Sequence, residues 1–181
     1  MGYALPDAQY ADKVVILTDD LVDYPNTPCS ISERQVDYVV EIDSVGDSSK
    51  ISSGAIRDSK NPRDILLAQK AAKVIINSGY FNDGFSIQTG TGGASLAAVK
   101  YIRQSMIDRG IKASFALGGI TAHMVRLHEE GLIERLIDVQ SFDKVAAESL
   151  KSDMMHKEVS ANEYASADEP GSAVHYLDMV I

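Results

Sequence analysis

Apolar positions along the chain fall into short blocks whose spacing alternates between about two and about 3.6 residues, the pattern of strands interleaved with helices. Residues 14–18, Val-Val-Ile-Leu-Thr, form an aliphatic run closed by Asp19-Asp20 and predict a buried strand. Pro25, Asn26 and Pro28 enforce a loop. In residues 38–43, Glu41 and Asp43 then alternate with Val40 and Ile42, as in a second strand. From 44 to 61 the chain turns to Ser, Gly, Asp and Lys and reads as a linker; its Arg57 is either solvated or within reach of an anionic ligand.

The pattern beyond residue 60 is stronger. Asn61-Pro62-Arg63-Asp64 supplies a cap, a proline for the first helical position and an acid for the first turn. Ile65, Ala68, Ala72 and Ile75 then mark one apolar face, and Gly79 closes the helix. A strand around Ile87 leads to a helix over 95–109 with Leu96, Val99, Ile102 and Met106 inward and Gly110 as its stop. A strand at 113–117 is broken by Gly118-Gly119, and a helix begins near Thr121, carries Met124, Val125 and Leu127, and ends at Gly131. Residues 136–139 are a further strand, and Asp143 caps a helix over 144–150. Strands and helices in strict alternation pair in parallel through crossovers, so the expected fold is α/β, an open, mostly parallel sheet with flanking helices. Residues 154–172 read as polar and irregular. Residues 176–181 read as a buried strand with neither a following turn nor a partner, which points to a fragment of a larger domain.

One stretch carries chemistry. In residues 84–99 a short strand leads through Gly90-Thr91-Gly92-Gly93 into a helix, with Ser95 as its cap. Glycine amides and the positive end of a helix can together surround a phosphate or a developing oxyanion. Neither the G-x-x-x-x-G-K-S/T phosphate loop nor the dinucleotide G-x-G-x-x-G pattern is present, so a tight packing turn is an equally good reading of these glycines alone. A second glycine turn at Gly118-Gly119, ending in Thr121, repeats the arrangement one strand later. In open parallel sheets two such turns face one crevice, which favours binding over mere packing.

Composition narrows the classes. The net charge of −9 and the absence of a basic run argue against nucleic-acid binding. The single cysteine, Cys29, rules out an internal disulfide and a cysteine metal cage and fits a reducing compartment, the cytoplasm. No segment approaches the roughly 20 apolar residues of a membrane span, and no secretory signal opens the chain. His123 and His128, five apart, fall on different helix faces, so no metal is expected; these two, His156 and His175 are read as surface or partly buried. Ser95 in G-G-A-S lacks the spacing of a nucleophile elbow.

Several of these motifs, in the same order, resemble the alpha subunits of citrate lyase. They are Gly84-Phe85-Ser86, the run from Gln88 through Gly90, Gly92 and Gly93 to Ala97, Ser114 through Gly118-Gly119 to Thr121, Glu130-Gly131-Leu132, and Asp138-Val139-Gln140-Ser141-Phe142-Asp143. The similarity extends to residues 39–43, 53–58 and 177–181. The resemblance implies a coenzyme A transferase-like fold, present incompletely. Residues 1–60 would be the C-terminal part of a first half plus linker, and residues 61–181 the N-terminal part of a second half, truncated at its end. It implies a citrate CoA-transferase that moves the carrier thioester from acetyl to citrate, releasing acetate. The thiol belongs to a coenzyme A-like prosthetic arm, phosphoribosyl-dephospho-coenzyme A, on the acyl carrier (gamma) subunit, and a beta subunit completes an oligomeric complex. Gln88, Thr89, Gly90, Gly92, Gly93, Ser95, Gly118, Gly119 and Thr121 are the residues expected to bind the carrier thioester or the acid, the glycine loop gripping the arm; no catalytic acid or base is assigned. The alternatives are a transferase or hydrolase for another small carboxylic acid, and an inactive fragment that only binds a partner or ligand.

Overall fold

A computed structural model describes residues 2–27, 29–47, 59–167 and 171–181. The whole 53–58 motif, Arg57 included, and most of the predicted linker lie outside the described residues. Along the chain the elements are α1 (Ala4–Tyr10), β1 (Val15–Thr18), a 3-10 turn (Glu33–Gln35), β2 (Tyr38–Glu41), α2 (Pro62–Ile76), β3 (Phe85–Gln88) and α3 (Gly93–Arg109). They continue with β4 (Ala113–Ile120), α4 (Ala122–Glu129), β5 (Leu136–Ser141), α5 (Lys144–Ser152), β6 (His156–Glu158), α6 (Ala161–Ala165), a 3-10 turn (Ala173–Tyr176) and β7 (Met179–Val180).

Strands β3 to β7 form a five-stranded sheet in the order β6-β5-β4-β3-β7, and every pairing in it is parallel. The 3.6-residue periodicity is realised where it was strongest. Val99, Ile102 and Met106 of α3 and Met124, Val125 and Leu127 of α4 are buried together with Phe85, Ile87, Ala116, Ile120 and Leu136 of the sheet, and Leu96 of α3 is fully buried as well. Asn61 Oδ1 accepts from the Arg63 N–H at 2.9 Å, so α2 begins at the predicted cap. Ala68 of α2 packs with Ala97 and Ala98 of α3, small side chains that let the two helices approach closely. Gly110 and Gly131 take φ of 65° and 72°, the left-handed geometry that ends α3 and follows α4.

Three expectations are corrected. The first strand is not buried: Val15 is 51% and Leu17 58% exposed, because β1 pairs only with β2 in a separate two-stranded parallel sheet whose side chains no described element covers. The polar stretch after residue 154 is not irregular. It contributes β6 to the sheet edge and α6, whose Ser160-x-x-Glu163 capping box satisfies both ends of its first turn. Residues 176–181 form only a two-residue edge strand, β7, with Met179 buried and Val180 exposed.

Polar links hold the later elements. His156 is fully buried, not superficial: its Nε2 lies 3.2 Å from Asp138 Oδ2 and its Nδ1 2.9 Å from Ser149 Oγ, while Ser141 Oγ donates to Asp138 Oδ2 at 2.5 Å. This network fastens β5, β6 and α5 to one another. His128 on α4 reaches Asp153, the C-cap of α5, at 3.0 Å. The Met155 N–H, followed by His128, holds the Asp153 carboxyl below its ordinary value. No helix among the described residues is long and apolar enough to cross a membrane.

Leu136 is wholly buried at the centre of the core, so Leu136→Ala is expected to cost about 2–5 kcal/mol, read from the urea midpoint of the purified protein. A carboxyl with a depressed folded pKa contributes stability that is full above its unfolded pKa and is lost as pH falls through the folded one. The stability difference between wild type and Asp153→Asn should therefore stay constant above about pH 4 and shrink below it, as measured by urea titrations at stepped pH.

Candidate functional site

The carboxyl ends of β3 and β4 bring the predicted residues together. Gln88 ends β3 half-buried, and Thr89 follows it, 6% exposed, with its Oγ1 lacking any hydrogen-bond partner among the described residues. The Gly90 N–H donates to Ile181 O at 2.9 Å and the Ile181 N–H to Gln88 O at 3.0 Å, so the end of the chain fixes the entrance to the loop. The amide of Gly90 is therefore committed inside the chain. At the other end of these strands the Ser86 N–H donates to Asp178 Oδ2, and the Asp178 N–H donates to Ser86 Oγ, both at 2.8 Å.

The cap of α3 is Gly92 and not Ser95. Gly92 sits at φ −66°, ψ 148° with no side-chain cap, and Gly93 is the first helical residue. Ser95 falls within the first turn because the helix starts two residues earlier than its apolar periodicity shows; its Oγ would lie 3.4 Å from a Cβ at Gly90. A 17-residue helix thus begins with its first N–H groups unmatched by any side chain. A Cβ at Gly92 would meet nothing within 4 Å, so no contact inside the described chain requires glycine there.

Gly118-Gly119 is not a turn. Strand β4 runs on to Ile120, and its register against β5 shifts between Gly118, opposite Asp138, and Gly119, opposite Gln140. The extra residue, Val139, makes a bulge. Crowding explains both glycines. Gly118 has φ +110° and lies under Gln88, whose Nε2 would be 2.8 Å from a Cβ, and a Cβ at Gly119 would fall 1.7 Å from the Phe142 ring. Thr121, fully buried, is the N-cap of α4, and its Oγ1 has no hydrogen-bond partner among the described residues.

One carboxylate distinguishes the two helix starts. Asp143 Oδ2 accepts from the Ala122 N–H at 2.7 Å and Oδ1 from the Ala146 N–H at 2.9 Å, so it closes the N-termini of α4 and α5 together. It was expected only as the cap of α5. The start of α3, by contrast, has no side-chain cap.

Tyr164 of α6 was missed. Gln88 Nε2 donates to its hydroxyl at 2.6 Å, across 76 residues of sequence, and Tyr164 lines a cavity of about 530 Å³ with Val139, Gln140 and Ser141 of β5. The sequence signal was available in Ser160-x-x-Glu163, which marks a helix start in the stretch read as irregular. No short-range pattern announces the buried Asp138 and His156 pair. Among the described residues no group of three His, Cys, Asp or Glu side chains could hold a metal ion.

A five-stranded parallel sheet flanked by helices, with a glycine-framed helix start beyond its carboxyl ends, defines a domain of the open α/β class. The profile of "Citrate lyase, alpha subunit (CitF)" matches residues 1–181, and the chain belongs to that family. It is 57% identical to the citrate lyase alpha chain of Haemophilus influenzae and 55% identical to that of Escherichia coli, over all 181 residues in each case. The chain spans 36% of the length of each of these relatives. A solved structure from Streptococcus mutans, described as an alpha subunit of citrate lyase in complex with citrate, superposes with a TM-score of 0.92 at 54% identity, covering 99% of this chain and 36% of that one. A malonate decarboxylase alpha subunit from Acinetobacter baumannii, at 20% identity and TM-score 0.53 over 78% of this chain and 27% of its own, shares the fold alone.

The two glycine positions separate packing from ligand approach. Gly119→Ala is expected to destabilise by about 1–3 kcal/mol, because the Phe142 ring must move. Gly92→Ala should change stability by no more than about 0.5 kcal/mol, as the new methyl meets nothing inside the chain. Paired urea denaturation curves check both.

Proposed function

We propose that the full-length protein to which this chain belongs is a citrate CoA-transferase that exchanges acetate for citrate on a carrier thioester. It works in the cytoplasm with a citrate lyase beta subunit and an acyl carrier (gamma) subunit. On this reading residues 1–60 close one coenzyme A transferase-like half and residues 61–181 begin the other. Family membership and the citrate named in the Streptococcus mutans structure support the choice of acid.

The observation that carries the reading is the start of α3. Its N–H groups lack a side-chain cap, its glycine cap has open space around it, and the partnerless Thr89 hydroxyl precedes it by three residues. A group with accepting oxygens fits there. The phosphates of a coenzyme A-like arm and the oxyanion of acyl transfer both match that donor set. The arm supplies the thiol ester. The residues of this chain supply fixed donors, which stabilise developing negative charge without reorganising when it appears. Gly118 and Gly119 act one step removed, by letting Gln88 and Phe142 lie directly over β4. Thr121 occupies the N-cap position of α4 without a side-chain cap bond, and Asp143 closes that N-terminus instead, so the negative ligand is directed to α3.

The test is transfer between acetyl-carrier and citrate by the full-length subunit, with acetate and citramalate as competing acids. Gly92→Val is expected to lower turnover by at least about 100-fold while circular dichroism and melting stay native, since the branched side chain fills the approach to the α3 amides. Normal transfer by that variant removes the loop from the site. A wild-type subunit that prefers another acid or free coenzyme A removes the citrate assignment.

A further inference from the structure

The cavity beside Tyr164, linked to the end of β3 through the Gln88–Tyr164 hydrogen bond, differs in kind from the start of α3. At about 530 Å³ it has the size of a small-molecule site, and none of the residues that line it is charged. Its walls mix apolar Val139 and Leu150 with polar Gln140, Ser141, Tyr3 and Tyr164. A carboxylate or phosphate entering such a space would lose its water without meeting a cation, so the cavity selects against anions. An uncharged chain with amide groups matches both its apolar and its hydrogen-bonding walls.

The hydroxyl of Tyr164 is prepared for such a ligand. It accepts from Gln88 Nε2 at 2.6 Å, which turns its own proton away from Gln88, and no acceptor for that proton is present among the described residues. A hydroxyl that already accepts a hydrogen bond becomes a stronger donor. The ring is held firmly: Tyr164 N–H donates to Ser160 O at 2.9 Å inside the capping-box helix, and Ala161 N–H donates to Gly2 O at 2.9 Å. Gln88 is followed directly by Thr89 and Gly90, so the cavity and the α3 start are reached from one strand end.

We infer that this cavity receives the uncharged, amide-bearing stretch of the carrier arm, with the Tyr164 hydroxyl as its hydrogen-bond donor, while the charged groups of the site are met at the N-terminus of α3. The inference rests on the carrier-thioester reading above and adds a division of the site by charge. It assigns Tyr164 and Gln140 to arm recognition and leaves the acid to other groups.

Pantetheine, the uncharged part of such an arm, is the probe, titrated calorimetrically into the full-length subunit; citrate is titrated separately. Tyr164→Phe removes the hydroxyl, and with it both the donor offered to the ligand and the acceptor of Gln88 Nε2, so pantetheine affinity should fall about five- to tenfold and citrate affinity should stay within about twofold. Gln140→Leu, at an exposed position, provides a second wall variant should Tyr164→Phe loosen α6, and should weaken pantetheine at least about threefold. In the transfer assay the same variants should raise KM for the carrier thioester and not for citrate. Failure of pantetheine to bind the wild type, unchanged pantetheine affinity in the folded variants, or a loss confined to citrate would each overturn the assignment. Because binding is read without turnover, a wild type that binds pantetheine through Tyr164 yet transfers nothing would sink the transferase reading and leave the cavity assignment standing.

Discussion

The close approach of side chains to the backbone of β4 at Gly118 and Gly119 is the constraint on which the site depends. Gln88 crosses over one glycine and the Phe142 ring over the other, at distances that a Cβ would violate. The register shift against β5 at the same point lets the strand continue to Ile120, so that Thr121 and α4 follow without a turn. Any side chain on those two residues would lift Gln88 away from Tyr164 and Phe142 away from the sheet. The end of β3, the start of α3 and the position of α6 are thereby set by a single strand of the core.

Charge is distributed around this frame with equal economy. Three helices, α3, α4 and α5, begin near the carboxyl ends of the strands, and each offers the positive end of its dipole. The Asp143 carboxylate closes two of them, and the start of α3 has no side-chain cap. In a chain with a net charge of −9, the overall field does not attract anions, so any attraction for one has to arise locally, from side chains or backbone amides. The cavity next to Tyr164, lined by Val139, Gln140, Ser141 and Leu150 among others, carries no charged side chain in its wall.

The separate pair of strands, β1 and β2, shows what this chain does not bury. Two short parallel strands with exposed valines, leucine and tyrosine hold little apolar area between them, and parallel strands ordinarily have both faces covered. The chain spans 36% of the length of its relatives, so there is ample family sequence to provide such cover in the longer proteins. The second sheet needs no such help, because α2, α3 and α4 bring their own apolar faces to it.

Local order was legible in the sequence wherever a helix repeats its apolar residues over several turns or declares its ends. Asn61-Pro62, the Leu96 to Met106 stripe, Gly110 and, as the cap of α5, Asp143 are each announced by neighbours within a few residues, and each stands where the pattern put it; the bond from Ala122 to Asp143 across 21 residues is not. The family resemblance and the alternation of elements likewise fixed the parallel sheet. What periodicity could not decide were the contacts made between distant segments. Whether Val15 and Leu17 are covered depends on a second layer, not on their own apolarity. Whether Gly118-Gly119 turns or bulges depends on β5 pairing alongside. Gln88 meeting Tyr164, Ser86 meeting Asp178 and Asp138 meeting His156 are bonds across 76, 92 and 18 residues. Only the folded chain brings such groups to hydrogen-bonding distance, because short-range spacing carries no information about which strand ends and helix starts share a crevice.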